Sequence, residues 1–330
     1  MTRSLILWAF LATSAAAHPT TAPQAERTPG TRIDRENYRD GSPRTSKQMR
    51  EVAPGRWVAD GPSTTWYLNE VKDSEGAWRD GKKEGPWKYW YPNGGKEAEG
   101  EYKQGVPEGP WTFWRERGDK LQEGSFKAGK PEGRWTCWWF TSQYGERGRA
   151  EGEFVAGDMH GQWTYFDGES RKTEEGRLEH GKKVGTWTTW NPNGQKTAEG
   201  AWRNGLQDGP WKFWDEKGNP TKSGAFREGR EEGPWTFWYP NGKKNQEGEF
   251  RAGAEEGRWT FWYESGQKSD EGDYVAGKAH GSWTTWYSNG QKKAEGTYAA
   301  GLSSGVWKYW NEDGSEKPNV EFADGRLAKR

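Results

Sequence analysis

The stretch Glu271-Gly272-Asp273-Tyr274-Val275-Ala276-Gly277-Lys278-Ala279-His280-Gly281-Ser282-Trp283-Thr284-Thr285-Trp286-Tyr287-Ser288-Asn289-Gly290 decides the fold. The strand around Tyr274 belongs to a set that alternates charge, aromatic, charge, as in Glu101-Tyr102-Lys103, the period of strands with one packed and one solvated face, while Trp283 to Trp286 reads as a strand with an indole on each face. Gly277 and Gly281 separate the two runs. Asn289-Gly290 closes the second, and Asn-Gly is a strong short-range hairpin signal because both residues tolerate positive φ. The unit is therefore strand, tight turn, second strand and glycine-rich return.

Outward from this stretch the same unit recurs. Trp283 belongs to a Gly-x-Trp column formed by Trp87, Trp111, Trp135, Trp163, Trp187, Trp211, Trp235, Trp259, Trp283 and Trp307, spaced 24 residues apart except for 28 between Trp135 and Trp163. Four residues are inserted there, within Trp139 to Arg149. A second column, three residues on, holds Trp66, Trp90, Trp114, Trp138, Phe166, Trp190, Trp214, Trp238, Trp262, Trp286 and Trp310. A third runs Trp78, Tyr102, Phe126, Phe154, Leu178, Trp202, Phe226, Phe250, Tyr274, Tyr298 and Phe322. Repetition at a fixed period overrides other fold signals. It predicts an all-β chain: an elongated antiparallel β-meander or solenoid of about eleven 24-residue hairpin repeats over residues 55–330, with 22 strands and no helix.

Composition agrees with an aromatic rather than an aliphatic core. Only 30% of residues are hydrophobic and 30% are charged, which alone would suggest disorder, but 25 Trp and 47 Gly at regular intervals supply surface that buries by stacking. Lys plus Arg and Asp plus Glu are 49 each, so no excess basic charge exists to release counterions, and nucleic acid is not an expected partner. Residues 18–54, rich in Thr, Pro, Arg and Ser without apolar periodicity, read as a disordered linker. Before them, Arg3, the apolar run Leu5 to Ala12 and the small residues Ala15, Ala16 and Ala17 read as a signal peptide over residues 1–17. Export to the periplasm or the exterior is expected.

The repeat Glu-Gly-x-aromatic-x-x-Gly-x-x-x-Gly-x-Trp-x-x-Trp-x-x-Asn-Gly resembles the MORN repeat, in the bacterial variant found in YwqK-type antitoxin-like proteins. The resemblance spans about four fifths of the chain and includes the His-Gly pair at His160-Gly161 and His280-Gly281. It implies a twisted antiparallel meander without enzymatic activity, and a role in binding proteins or, in some relatives, lipid head groups. The export signal, the insertion, Leu178 and Phe166 depart from the pattern.

Chemistry-bearing residues form ladders rather than a convergent cluster. Glu75, Glu99, Glu123, Glu151, Glu175, Glu199, Glu247, Glu271 and Glu295 read as a cross-strand pairing column, not as hydrolytic carboxylates. The single cysteine, Cys137, stands where other repeats carry Tyr, Phe or Thr and reads as a packing substitution. His18, His160, His180 and His280 lack metal-ligand spacing, so neither a metal nor a cofactor is expected. In Trp-x-x-Trp the two indoles face opposite sides of the strand. The candidate binding surface is the second column: Trp90, Trp114, Trp138, Trp190, Trp214, Trp238, Trp262, Trp286 and Trp310. The expected function is a non-enzymatic exported scaffold for protein–protein interaction. A cell-wall or glycan-binding module and an antitoxin or immunity-like protein are the alternatives.

Overall fold

The computed structural model describes residues 24–28, 30–140 and 147–328. The expected signal peptide lies outside the described residues. Two compact units are formed by residues 1–130 and 131–330. Among the described residues there are 26 strands and no helix. The first unit holds β1 (Gln24–Thr28), β2 (Thr31–Asn37), β3 (Pro43–Ala53), β4 (Arg56–Trp66), β5 (Lys72–Arg79), β6 (Lys82–Trp90), β7 (Lys96–Lys103), β8 (Val106–Trp114) and β9 (Lys120–Lys127).

The second unit carries β10 (Lys130–Phe140), β11 (Arg147–Val155), β12 (Asp158–Phe166), β13 (Lys172–Glu179), β14 (Lys182–Trp190), β15 (Lys196–Arg203), β16 (Leu206–Trp214), β17 (Pro220–Arg227) and β18 (Arg230–Trp238). It continues through β19 (Lys244–Arg251), β20 (Ala254–Trp262), β21 (Lys268–Val275), β22 (Lys278–Trp286), β23 (Lys292–Ala299), β24 (Leu302–Trp310), β25 (Glu316–Ala323) and β26 (Arg326–Leu327). Within each unit, strands adjacent in sequence pair antiparallel, the meander that the 24-residue period predicts.

One repeat shows how the residues dictate this. Trp235 of β18 pairs with Gly248 of β19, while on its other side Gly224 of β17 alone opposes Gly233-Pro234-Trp235. The resulting bulge, with Gly233 at φ 70°, lays the indole flat on the backbone at Gly224. A Cβ there would lie 2.1 Å from Trp235 Cδ2. Trp235 Nε1 donates to the Ala225 carbonyl at 3.1 Å. Mid-strand glycine marks close approach of another group, and here that group is an indole from the next hairpin. The same Gly–Trp contact joins Gly76 to Trp87 and Gly296 to Trp307. In β25 the position opposite Trp307 holds Val320 instead.

The two hairpin turns differ, which corrects the expectation that Asn-Gly supplies two positive φ angles. At the return, Ala276 and Gly277 have φ 48° and 76°, as a type I′ turn requires. At Asn289-Gly290 only the glycine is left-handed, at φ 87°. Gly290 N donates to Tyr287 O and Tyr287 N to Gln291 O, at 2.9 and 2.8 Å. This is the longer loop in which a type I turn is followed by a left-handed glycine. Asn289 serves otherwise: its Oδ1 accepts from Gln291 N at 3.0 Å, and its Nδ2 donates to Glu312 O of the next hairpin at 2.8 Å.

The linker expected over residues 18–54 is also corrected, since β1, β2 and β3 fall inside it and the strand count rises from 22 to 26. Tyr38-Arg39-Asp40-Gly41 makes the same turn as Tyr91-Pro92-Asn93-Gly94, and Tyr38 Oη donates to Trp66 O at 2.9 Å as Tyr91 Oη does to Trp114 O at 2.8 Å. Five extra residues in the β3–β4 hairpin hide this homology from a 24-residue search: Tyr38 stands 28 residues before Trp66, where Tyr91 stands 23 before Trp114. Low hydropathy misleads here because backbone pairing and ionic contacts replace an apolar core. Arg32 lies 4.4 Å over Trp57, and Arg50 binds both Asp60 and Asp80.

Candidate functional site

The strands that carry both tryptophan columns send aromatic rings to two faces with different environments. On the packed face, Trp235 is 1% exposed. Phe226 and Phe250 meet its ring edge-on at 5.1 and 6.0 Å, while Phe213 and Phe237 stack on it at 6.4 and 5.9 Å. First- and third-column rings thus form a T-shaped lattice, the arrangement that ring quadrupoles favour. Leu178 substitutes for a ring among Ala150, Trp163 and Trp187. Cys137 occupies the Phe237 position of its repeat, and burial pushes its thiol up to about 11, so it stays protonated at neutral pH.

The opposite face carries the second column. Trp90, Trp114, Trp138, Trp190, Trp214, Trp238, Trp262, Trp286 and Trp310 are all half-buried rather than enclosed. Most of these rings carry a lid. Lys72 Nζ lies 5.8 Å over Trp90 and Lys96 5.1 Å over Trp114 in the first unit. In the second, Lys172 covers Trp190 at 4.9 Å, Lys244 Trp262 at 5.7 Å, Lys268 Trp286 at 5.4 Å and Lys292 Trp310 at 5.7 Å. Arg149 covers Phe166 at 4.0 Å.

The glutamate column holds these lids in place. Lys72 pairs with Glu75 at 2.9 Å, Lys96 with Glu99 at 2.8 Å and Lys292 with Glu295 at 2.8 Å. The expectation of cross-strand partners is corrected in part: the recurring pair lies within one strand, three residues apart, with Arg258 to Glu271 at 2.6 Å an added cross-strand case. Residues three apart normally face opposite sides of a strand. Here Trp66 pairs with Lys72 and Thr65 with Ser74, so Asp73 is an extra residue that flips the parity and brings Lys72 to the face of Glu75. Each exposed pair contributes about 0–1 kcal/mol. Its larger effect is to fix an ammonium above an indole.

The first unit buries a further cation on its packed face. Lys83 Nζ lies 4.3 Å from the Trp87 ring and 5.0 Å from those of Tyr89 and Tyr102, and donates to Tyr89 Oη at 2.7 Å. Burial outweighs the charge of Asp73 and lowers the Lys83 ammonium from 10.5 to about 8. The unfolded chain therefore binds more protons than the folded one between about pH 8 and 10.5, so the stability of the first unit is expected to rise with pH across that window. Replacing Lys83 with Met should flatten that rise in urea-unfolding midpoints followed by tryptophan fluorescence.

Histidine positions unrelated in sequence meet in space: the rings of His160 and His180 lie 6.2 Å apart, and His180 Nδ1 is 2.9 Å from Asp158 Oδ2. His18 lies outside the described residues. Among the described residues no group of three or more His, Cys, Asp or Glu is placed to hold a metal ion. Two contacts between repeats were missed in the sequence. Tyrosines such as Tyr239 and Tyr263 donate through Oη to Trp262 O and Trp286 O, each at 2.7 Å, and the mid-strand glycines seat the next indole. The Glu-Gly dipeptide inside a strand was the available signal for the latter.

An array of β-hairpins that pack ring on glycine, with chemistry distributed in ladders, defines a repeat protein of the binding-module type. The MORN repeat variant family matches residues 83–104, 231–252, 255–276 and 279–300, so the chain carries MORN-variant repeats in both units. A search of curated proteins found no significant match.

Proposed function

We propose that the chain is a non-enzymatic, exported repeat scaffold that binds a protein through the face carrying the second tryptophan column. The observation behind this reading is the lidded ladder itself: half-buried indoles alternate with fixed Lys–Glu pairs at a constant 24-residue step, giving an extended surface of both apolar and charged contacts. Aromatic rings bordered by charges that already have partners suit a protein interface. A glycan reading is disfavoured because sugars stack on open ring faces, and lysines occupy most of these. Arg3 and the apolar run Leu5 to Ala12 support export.

The test places a photo-cross-linking amino acid at Thr284, on the indole face, and separately at Ser303, across from Tyr298 on the packed face, in the full-length chain in its native envelope. One specific protein adduct from Thr284 and none from Ser303 is expected. Adducts from Ser303 alone, or from cell-wall glycan alone, would overturn the reading.

A further inference from the structure

In the second unit the ladder loses the lid residue itself at one repeat. From Trp190 to Trp310 the position 18 residues before the ring carries Lys172, Lys196, Lys244, Lys268 or Lys292, but before Trp238 it carries Pro220. Lys196 keeps its pair with Glu199 but is not seen over Trp214 among the described residues, whereas at Trp238 the cationic residue itself is absent. The carboxylate partner is missing too, because Ser223 stands where the other repeats have glutamate. Both members of the pair are thus lost together, and no lysine or arginine of the chain is seen over the Trp238 ring among the described residues. The indole is half-buried, as its neighbours are.

A second feature, shared with the repeats of Trp190 and Trp214, whose tyrosine place holds Asp167 and Asn191, is found at this repeat too. Tyr239 and Tyr263 each give a hydroxyl to the carbonyl of the tryptophan 23 residues later. The residue so placed for Trp238 is Asp215. Its carboxylate turns back to accept from Asn219 Nδ2 at 3.0 Å and Asn219 N at 2.8 Å. Those bonds, from the Asn219 side chain first, hold the carboxyl below the usual aspartate range, so it stays ionised. At this repeat the ring lacks its cation, the tryptophan carbonyl lacks its tyrosine hydroxyl, and a carboxylate stands in the tyrosine's place.

We propose that Trp238 is the docking point for a lysine or arginine side chain of the partner protein, which takes over the ring face left open by Pro220 and Ser223 and is drawn to it by Asp215. The chemistry is that of the neighbouring repeats with the cation supplied from outside: an ammonium or guanidinium over the electron-rich ring face. The proposal rests on the protein-binding reading of this face and adds the charge of the group that binds there.

The test labels the full-length chain with 5-fluorotryptophan, identifies the Trp238 fluorine resonance by its loss in Trp238→Phe, and titrates with a tri-lysine peptide or its fully Nε-acetylated counterpart. A saturable shift of the Trp238 resonance by tri-lysine, absent with the acetylated peptide, is expected. The double variant Pro220→Lys with Ser223→Glu restores the lid found in the other repeats and should abolish the shift while the chain stays folded. The converse pair, Lys268→Pro with Glu271→Ser, should uncover Trp286 and make a second resonance respond. No saturable shift at Trp238, or an undiminished shift in the restored-lid variant, overturns the proposal. Neither result touches the cross-linking outcome, so the scaffold reading stands or falls separately.

Discussion

Replacing Gly248 with Ala is expected to destabilise the second unit by about 3 kcal/mol, the upper end of the usual cost of overpacking. The new Cβ would lie 2.2 Å from Cδ2 of Trp259, an indole only 2% exposed that is also tied to the Glu249 carbonyl at 3.1 Å. Neither partner has room to retreat, since Phe250 and Tyr274 hold the ring edge-on at 5.1 and 6.1 Å. Trp259→Ala should itself cost about 3–5 kcal/mol through lost burial and the cavity left behind. The double variant should cost clearly less than the sum, because without the indole the alanine methyl meets no obstacle. Urea unfolding of the four chains, analysed as a double-mutant cycle, reads the coupling. Additive losses would show that the glycine serves backbone freedom rather than contact with the ring.

A larger effect is expected from deletions that respect or violate the period. Removing residues 231–254 joins Arg230 to Glu255, which stands where Glu231 stood, so every Gly–Trp and Tyr–carbonyl contact finds a substitute from the next repeat. The shortened chain should remain folded with a cooperative transition. Removing residues 231–242 instead deletes β18 and joins the end of β17 to β19 through the short turn. Those two strands run in the same direction, and a tight turn cannot connect parallel neighbours. Loss of cooperative unfolding and of native tryptophan fluorescence in the shorter deletion, but not in the longer one, is the outcome to look for.

The hairpin period, the antiparallel meander and the split of aromatic residues between two faces were all legible in the sequence, because each depends on spacing alone. Trp87 and its equivalents, read as one column, are indeed one packed row within each unit. What escaped were relations that cross from one repeat to the next. The lysine lid needs the bulge at Asp73, which changes the face of every residue before it, and no count along the chain shows a bulge. Gly224 looked like part of a strand when it is the seat for an indole eleven residues later. Residues 30–53 were misread because their hairpin is five residues longer than the others, which put Tyr38 and Asp40 out of phase with the columns they match. Phase, rather than composition, carried the information there.

Val320 bears on how such an array can change its length. In β25 it stands opposite Trp307, where the preceding hairpins have the glycine on which the following tryptophan lies. A hairpin appended after it would bring its indole against a branched side chain and find no seat. New copies can therefore be seated between hairpins that keep the glycine but not directly against β25, so unequal exchange among near-identical neighbours can change the number of hairpins before Val320 without disturbing the packing.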